Sequence, residues 1–305
     1  MKSNRHLGIS FFNGRIQLAE IEHGKKTNVT VLAEGNTSVD LVEAGVHLSA
    51  DHPQVATLSG ELGDLLKRNK VSSRAVSYAI PADPAFINIV PLSPTLKGPA
   101  LQQYLQWELK QYFPDAGPKD FIVDSHPLPS GDSAAKPGFV VAVRRGMVAF
   151  LQKVTNDLKM QLQIIDIDHL SSEKTISFNY PEISGHPAAL FCLSMTGMIA
   201  SIVRNGEMVD YRSYKADIPR DTIKTIVSYL KHLGQAEPAL KPEVLFLYGT
   251  SIPPDLLKKI QSETDTQTLL VNSLRKLTVS GKVFQQFTKE SGRFAPAIGL
   301  GLRKS

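Results

Sequence analysis

The sequence predicts an α/β chain built as two lobes, and three observations predict it. Short apolar runs of strand character alternate with segments of helical spacing along all 305 residues. Two Asn-Gly pairs, Asn13-Gly14 and Asn205-Gly206, each lie between strand-like runs, and Asn-Gly readily takes the positive φ angles of a tight hairpin. Each hairpin opens a stretch in which strands come first and a helix follows, so the plan repeats in secondary structure although not in sequence.

The first half begins with strands at His6 to Ile9 and Arg15 to Ile21 around the Asn13-Gly14 turn, and Val29 to Ala33 completes a meander. Leu58, Leu62, Leu65 and Leu66 recur at helical spacing in the segment Leu58 to Asn69, after which Ala75 to Ile80 reads as a buried strand ending at Pro81. From Phe86 the pattern changes to a strand (Phe86 to Val90), a helix (Gly98 to Phe113), two strands (Phe121 to Ser125, Phe139 to Val143) and a closing helix (Arg145 to Lys159). Between those two strands, Pro127 to Gly138 is rich in Pro, Gly, Ser and Ala and reads as a flexible hairpin tip. Leu162 to Ile167 is an apolar strand that returns the chain to the first sheet. The second half repeats the opening with strands Ala188 to Leu193, Ile199 to Val203 and Met208 to Tyr211. Helix Asp221 to Leu233, strand Val244 to Tyr248, helix Pro254 to Ser262, strand Thr268 to Val271 and an apolar helix Phe294 to Leu302 follow.

Composition narrows the function classes. A chain that is 42% hydrophobic and 21% charged can bury about two cores. Its longest apolar runs, Ala188 to Leu193 and Ile199 to Val203, fall far short of the roughly 18 to 20 residues of a membrane-spanning helix. The opening Met1-Lys2-Ser3-Asn4-Arg5-His6 lacks the apolar region and cleavage site of a secretory signal, so a cytoplasmic location is expected. One cysteine, Cys192, forms no internal disulfide and no multi-cysteine zinc site; in its apolar strand it reads as a buried, inert thiol. The net charge of +5 comes from scattered basic residues, without a nucleic-acid footprint. The eight histidines are dispersed with no metal-ligand spacing. Asp166 and Asp168 alternate along the return strand and share a face, with His169 beside them, and read as polar ends of a core strand.

Several segments, in order, carry a specific resemblance. Leu7-Gly8-Ile9-Ser10-Phe11-Phe12-Asn13-Gly14-Arg15-Ile16-Gln17-Leu18-Ala19-Glu20-Ile21 aligns without gaps to a motif reading about Leu-Gly-Ile-Asp-Ile-Gly-Ser-Ser-Ser-Ile-Lys-Ala-Val-Glu-Leu. Tyr104 to Pro114, with Trp107-Glu108 and Tyr112-Phe113-Pro114, matches a helix that ends in a Glu followed by Tyr-Ile-Pro. Val140 to Arg145, Leu162 to Asp168, Arg212 after the second Asn-Gly turn, and Phe294 to Arg303 match further on. Together they resemble the actin-like ATPases and, within them, the type IV pilus assembly protein PilM family, related to the division protein FtsA and the secretion component GspL. The resemblance implies a duplicated, ribonuclease H-like α/β fold. The expected division is a first lobe over 1–85 with its return segment at 161–186, an inserted SHS2-like small domain over 86–160, and a shortened second lobe over 187–305.

The resemblance also shows where the chain departs from a working nucleotide site, which needs glycine-bearing hairpins for the phosphates and acids for Mg²⁺. At the first hairpin the family's metal-side Asp becomes Ser10 and its Gly becomes Phe12, a side chain expected to crowd the phosphate; Asn13, Gly14 and Arg15 are the remnants. At the second hairpin the family's Asp-Ile-Gly falls on Cys192-Leu193-Ser194, with Gly197 remaining as turn chemistry. The base-binding Gly-Gly pair survives only as Tyr248-Gly249, and Tyr248 either stacks on a base or fills the vacated space. Between Arg212 and Gly249 the family carries a much longer segment that roofs the nucleotide. A pseudo-ATPase without cofactor is therefore expected, the alternative being an active ATP- and Mg²⁺-binding ATPase of pilus assembly.

What the resemblance implies instead is a cytoplasmic adaptor in a type IV pilus-like or type II secretion-like machine, held at the inner membrane by the tail of a PilN-like protein. In the family that tail lies extended in a groove between the first lobe and the inserted domain. Tyr104, Trp107, Tyr112 and Phe113 are the nominated anchors, although Leu101, Tyr104, Leu105 and Leu109 also fit a core-facing helix stripe. A GspL-like component and an FtsA-like filament former are the neighbouring readings.

Overall fold

The computed structural model describes residues 4–303 except 44, 46, 94, 118, 129–135, 195–196, 216–217, 250–251, 254, 281–282 and 284. The chain begins with β1 (Arg5–Phe12), β2 (Arg15–Glu22) and β3 (Asn28–Asn36), then α1 (Gln54–Arg68) and β4 (Ala75–Ile80). Asn13 (φ 49°) and Gly14 (φ 70°) form the two-residue turn between β1 and β2, and Asn205 (φ 56°) and Gly206 (φ 75°) repeat it later. A small unit follows: β5 (Phe86–Leu92), α2 (Gly98–Tyr112), β6 (Phe121–Pro127) and β7 (Lys136–Arg144). The chain returns through α3 (Arg145–Asp157), β8 (Gln161–Ile167) and α4 (Asp168–Asn179). The second half holds β9 (Ala188–Leu193), β10 (Gly197–Arg204), β11 (Glu207–Lys215), α5 (Ile218–Ala236), β12 (Val244–Gly249), α6 (Leu256–Thr264) and β13 (Gln267–Leu270). It closes with β14 (Thr278–Val279), α7 (Gln285–Lys289) and α8 (Ala295–Gly301).

The duplication is explicit in the strand order. The first sheet runs β14-β3-β2-β1-β4-β8 and the second β11-β10-β9-β12-β13, so in both a three-strand antiparallel meander continues into two parallel strands. A third sheet, β5-β7-β6, is antiparallel throughout. One face of the first sheet packs Leu7, Ile9, Ile16 and Leu18 on α1 and α3, and one face of the second packs Phe191, Leu245 and Leu247 on α5 and α6. The remaining faces turn toward each other. Ala19 and Ile21 meet Phe294, Ala297 and Ile298, while Leu190, Phe246 and Tyr248 meet Ile176, Tyr180 and Ala295, so α4 and α8 lie between the two sheets. Contact there is close enough to need glycine on both sides of α8: a Cβ at Gly8 would meet the Ala297 carbonyl oxygen at 1.9 Å, and one at Gly299 the Ser171 carbonyl oxygen at 1.8 Å.

Three expectations are corrected, and a fourth falls mostly outside the described residues. Asp168 does not continue the return strand; it is the first residue of α4, a helix with no counterpart in the sequence reading, so Asp166 and Asp168 do not share a strand face. The helix α3, placed in the small domain at 86–160, buries Met147, Phe150, Leu151 and Val154 in the first-lobe core, and the small unit ends at β7. The range 187–305 is not one lobe: β14 pairs with β3, and α8 packs on the first sheet. Within the hairpin tip Pro127 to Gly138, Leu128 is buried against Phe139 and Tyr211; residues 129–135 lie outside the described set. Among the described residues no helix is long and apolar enough to cross a membrane.

Candidate functional site

Two concavities collect the residues of interest. The first is a cleft of about 430 Å³ between the lobes, lined by the Asn13-Gly14 turn, residues 37–42, Asp83, Asp168, Cys192 and Ser194. Both hairpins expected to face a nucleotide reach it, but the polar groups flanking their turns are engaged within the chain. Ser10 is fully buried and its hydroxyl donates to Gln17 Oε1 at 2.9 Å on the adjacent strand. Arg15 pairs with Glu34 at 2.6 Å, and Arg293 reaches the same carboxylate at 3.4 Å. Phe12 packs beside Cys192 and Tyr248 in the apolar interface between the lobes. At the second hairpin the Gly197 N–H donates to Ser194 Oγ at 3.1 Å, which closes that loop on itself. Two retained glycines answer to strand packing: a Cβ at Gly197 would meet the Tyr214 carbonyl oxygen at 2.4 Å, and one at Gly249 (φ +126°) the Leu193 carbonyl oxygen at 2.0 Å.

The cleft does hold acids: Asp83, which sequence reading missed, and Asp168, which it read as the polar end of a core strand. Asp83 follows β4 and Asp168 follows β8, at the carboxyl ends of adjacent parallel strands, where α/β sheets gather functional groups; that placement was the available signal. Burial pushes Asp168 up to about 7, and the Asp83 and Asp166 carboxylates repel its charge further. The Cys192 thiol is held well above its ordinary value by burial, so it stays protonated. Among the described residues no three His, Cys, Asp or Glu side chains gather as a metal site.

Behind the cleft, a polar chain crosses from lobe to lobe. His169 is completely buried; its Nδ1 lies 3.0 Å from the Tyr248 hydroxyl and its Nε2 2.9 Å from Ser201 Oγ, and Ser201 donates to Glu173 Oε1 at 3.2 Å. Burial lowers the imidazole to about 3, so it is neutral, with one ring nitrogen donating and the other accepting. Tyr248 is thus a buried packing and hydrogen-bonding residue. Burial also raises Glu173 to about 8, with Asp166 adding repulsion. In the folded chain Asp168 and Glu173 retain protons that an unfolded chain releases above ordinary values of 3.8 and 4.5. Their stabilising contribution is therefore full below those values and is lost as pH rises through about 7 and about 8. We predict that Glu173→Gln melts with the wild type at about pH 5 and above it at about pH 8.5. Equal melting temperatures at both pH values would contradict the assignment.

The second concavity is a groove of about 470 Å³ between the small sheet and β8, lined by Ile122, Asp124, Phe139, Val141, Leu162 and Ile165 among others. Its position follows from alternation along the strands. Phe121, Val123, Val140 and Ala142 face α2, so Ile122, Asp124, Phe139, Val141 and Val143 face the other way, toward β8. Among the described residues both β8 and β6 are edge strands of their sheets, so the groove runs beside two strand edges that no described strand pairs. Ile122 is 40% exposed there.

The nominated aromatic anchors are elsewhere. Tyr104, Trp107, Tyr112 and Phe113 belong to α2 and its C-cap, on the opposite face of the small sheet from the groove. The Tyr104 hydroxyl sits 2.9 Å from the Pro91 carbonyl oxygen and 2.7 Å from Glu108 Oε1. Tyr112 accepts from Asn88 Nδ2 at 2.8 Å, Phe113 packs on Phe121, and Trp107 is 56% exposed.

No protein-family model matches the sequence, and no curated protein does. Solved structures do match. A chain of the PilM-PilN type IV pilus biogenesis complex is 17% identical with a TM-score of 0.76, the match covering 99% of both chains. A Bacteroides thetaiotaomicron protein with an actin-like ATPase fold is 12% identical (TM-score 0.50, covering 89% of this chain and 92% of that one). The ethanolamine utilization protein EutJ from Carboxydothermus hydrogenoformans is 9% identical (TM-score 0.52, covering 98% and 89%). With its paired meander sheets and the helices between them, this chain is similar to these proteins in architecture, and its fold is the two-lobed actin-like one.

Proposed function

We propose that this chain is a non-catalytic adaptor that docks the extended cytoplasmic tail of an inner-membrane PilN-like protein, in a type IV pilus-like or type II secretion-like assembly at the cytoplasmic face. The observation that carries the reading is the apolar groove beside the edge strands β6 and β8. An extended peptide completes such an edge with main-chain hydrogen bonds while its alternate side chains enter the groove. The shared architecture with a chain solved in a PilM-PilN complex supports the choice of partner.

The interlobe cleft as built does not suit a magnesium nucleotide. Ser10 and the Gly197 N–H are engaged internally, and among the described residues no three His, Cys, Asp or Glu side chains gather to hold a metal.

Calorimetric titration with a synthetic tail of the membrane protein encoded beside this chain's gene is expected to show saturable binding; no measurable heat at any temperature would overturn the docking. Labelled ATP with Mg²⁺ is expected not to bind. Micromolar binding that disappears when Gly14 is changed to Trp would instead establish a working nucleotide site.

A further inference from the structure

Phe139 does two things at once. It lines the groove, and its ring packs edge-on against Tyr211 of β11, in the second lobe, at 5.7 Å. Tyr211 in turn meets the His169 ring at 6.0 Å, and His169 stacks on Tyr248 at 5.9 Å while bonding its hydroxyl. Tyr248 shares an apolar cluster with Cys192, which lines the cleft, and the His169 backbone N–H donates at 2.6 Å to the carboxylate of its neighbour Asp168, which lines it too. A continuous row of rings therefore runs from the floor of the groove, through both lobes, to the wall of the cleft. Its members sit on four different elements, β7, β11, α4 and β12, so none can shift alone. Leu128, Met208 and Leu170 pack around the Phe139 end, and Ser201 and Glu173 fix the other side of the imidazole.

From this geometry we infer that the second lobe positions the groove: Tyr211, held by His169, seats Phe139, so that occupancy of the groove and closure of the interlobe cleft are linked. Packed rings transmit displacement because the interior is dense and the alternative to one seated arrangement is a different seated arrangement. Linkage makes the effect reciprocal, so a tail that presses Phe139 onto Tyr211 also tightens the lobes around Cys192. The tail's part in this rests on the docking proposed above; the linkage between Phe139 and the cleft does not.

Cys192 is the only cysteine in the sequence and reports on the cleft by its rate of labelling with a thiol reagent. Phe139→Ala, made in the small sheet, is expected to speed labelling about 3- to 30-fold. Tyr211→Leu is expected to do the same, and Tyr211→Phe, which keeps the ring, to label like the wild type. Leu105→Ala serves as the control, since it loosens the α2 face of the small sheet without touching the row of rings, and it should leave the rate unchanged. Saturating tail peptide should slow labelling in the wild type and not in Tyr211→Leu. The inference is overturned if Phe139→Ala protects Cys192 as well as the wild type does, or if Leu105→Ala accelerates labelling equally. A peptide that binds by calorimetry yet leaves the rate unchanged overturns it as well. A peptide that fails to bind sinks the docking alone, and the Phe139→Ala rate still decides the linkage.

Discussion

Val141→Lys is expected to abolish binding of the membrane-protein tail, lowering affinity by more than about 100-fold while the protein still folds. Val141 sits on the central strand of the small sheet with its side chain turned to the groove, among Ile122, Phe139 and Ile165. A lysine there, even paired with Asp124 directly opposite on β6, puts a long charged side chain where an incoming strand would bury apolar ones. Trp107→Ala, on the far face of the same sheet, should leave affinity within about threefold. Titration of both variants separates two accounts. Loss of binding in Trp107→Ala with Val141→Lys unaffected would return the site to the aromatic face of α2 and remove the groove from consideration.

The largest effect on stability is expected at the contact between α8 and its neighbours. Gly8→Val and Gly299→Val each force a branched side chain into space held by a backbone carbonyl less than 2 Å from the new Cβ. The obstruction is main chain on an element packed from both sides, so it cannot rotate away. We expect each to cost about 3 kcal/mol or more and to lower the melting temperature by roughly 5–10 °C, or to prevent soluble expression. Gly60→Ala in α1, where a new methyl would meet nothing within 4 Å, should instead be neutral or stabilise by about 0.5–1 kcal/mol. Thermal melts of the three variants test the contrast, and wild-type melting of Gly8→Val would refute the packing described for α8.

The elements that the sequence disclosed are those with one wet and one dry face. Leu58, Leu62 and Leu65 mark α1 because its other side meets solvent, and Asn13-Gly14 and Asn205-Gly206 mark hairpins because few other pairs accept those angles. The helix α4 gave no such signal. It lies between the lobes and carries Ser171, Ser172, Thr175 and Asn179 in buried positions, where Ser171 donates to the Asp166 carboxylate and the others bond to backbone, so polarity there does not mean exposure. The helix α8 is buried all round, and its uniform apolar character announces a helix without saying which sheet it serves.

For the candidate sites the division is similar. The substitutions Ser10 and Phe12 stood out in the aligned motif, whereas Asp83 and Asp168 are single acids that only the parallel register of β4 and β8 brings into one cleft. The four aromatics of α2 were chosen by residue type. The choice of groove depends on which strand face α2 covers, and alternation along β6 and β7 allows either answer until the third dimension is known.

The placement of α8 bears on how the molecule is made. The first strand leaves the ribosome long before the helix that covers it, which is encoded at 295–301, and the His6 ring finally bonds the Arg303 carbonyl oxygen at 3.0 Å. At about 5–20 residues per second, one face of that sheet waits with Ala19 and Ile21 uncovered until α8 has been made. Nascent chains of this protein should therefore lean on chaperones until α8 has emerged, and chains lacking residues 295–303 should aggregate in place of yielding a shortened but folded product.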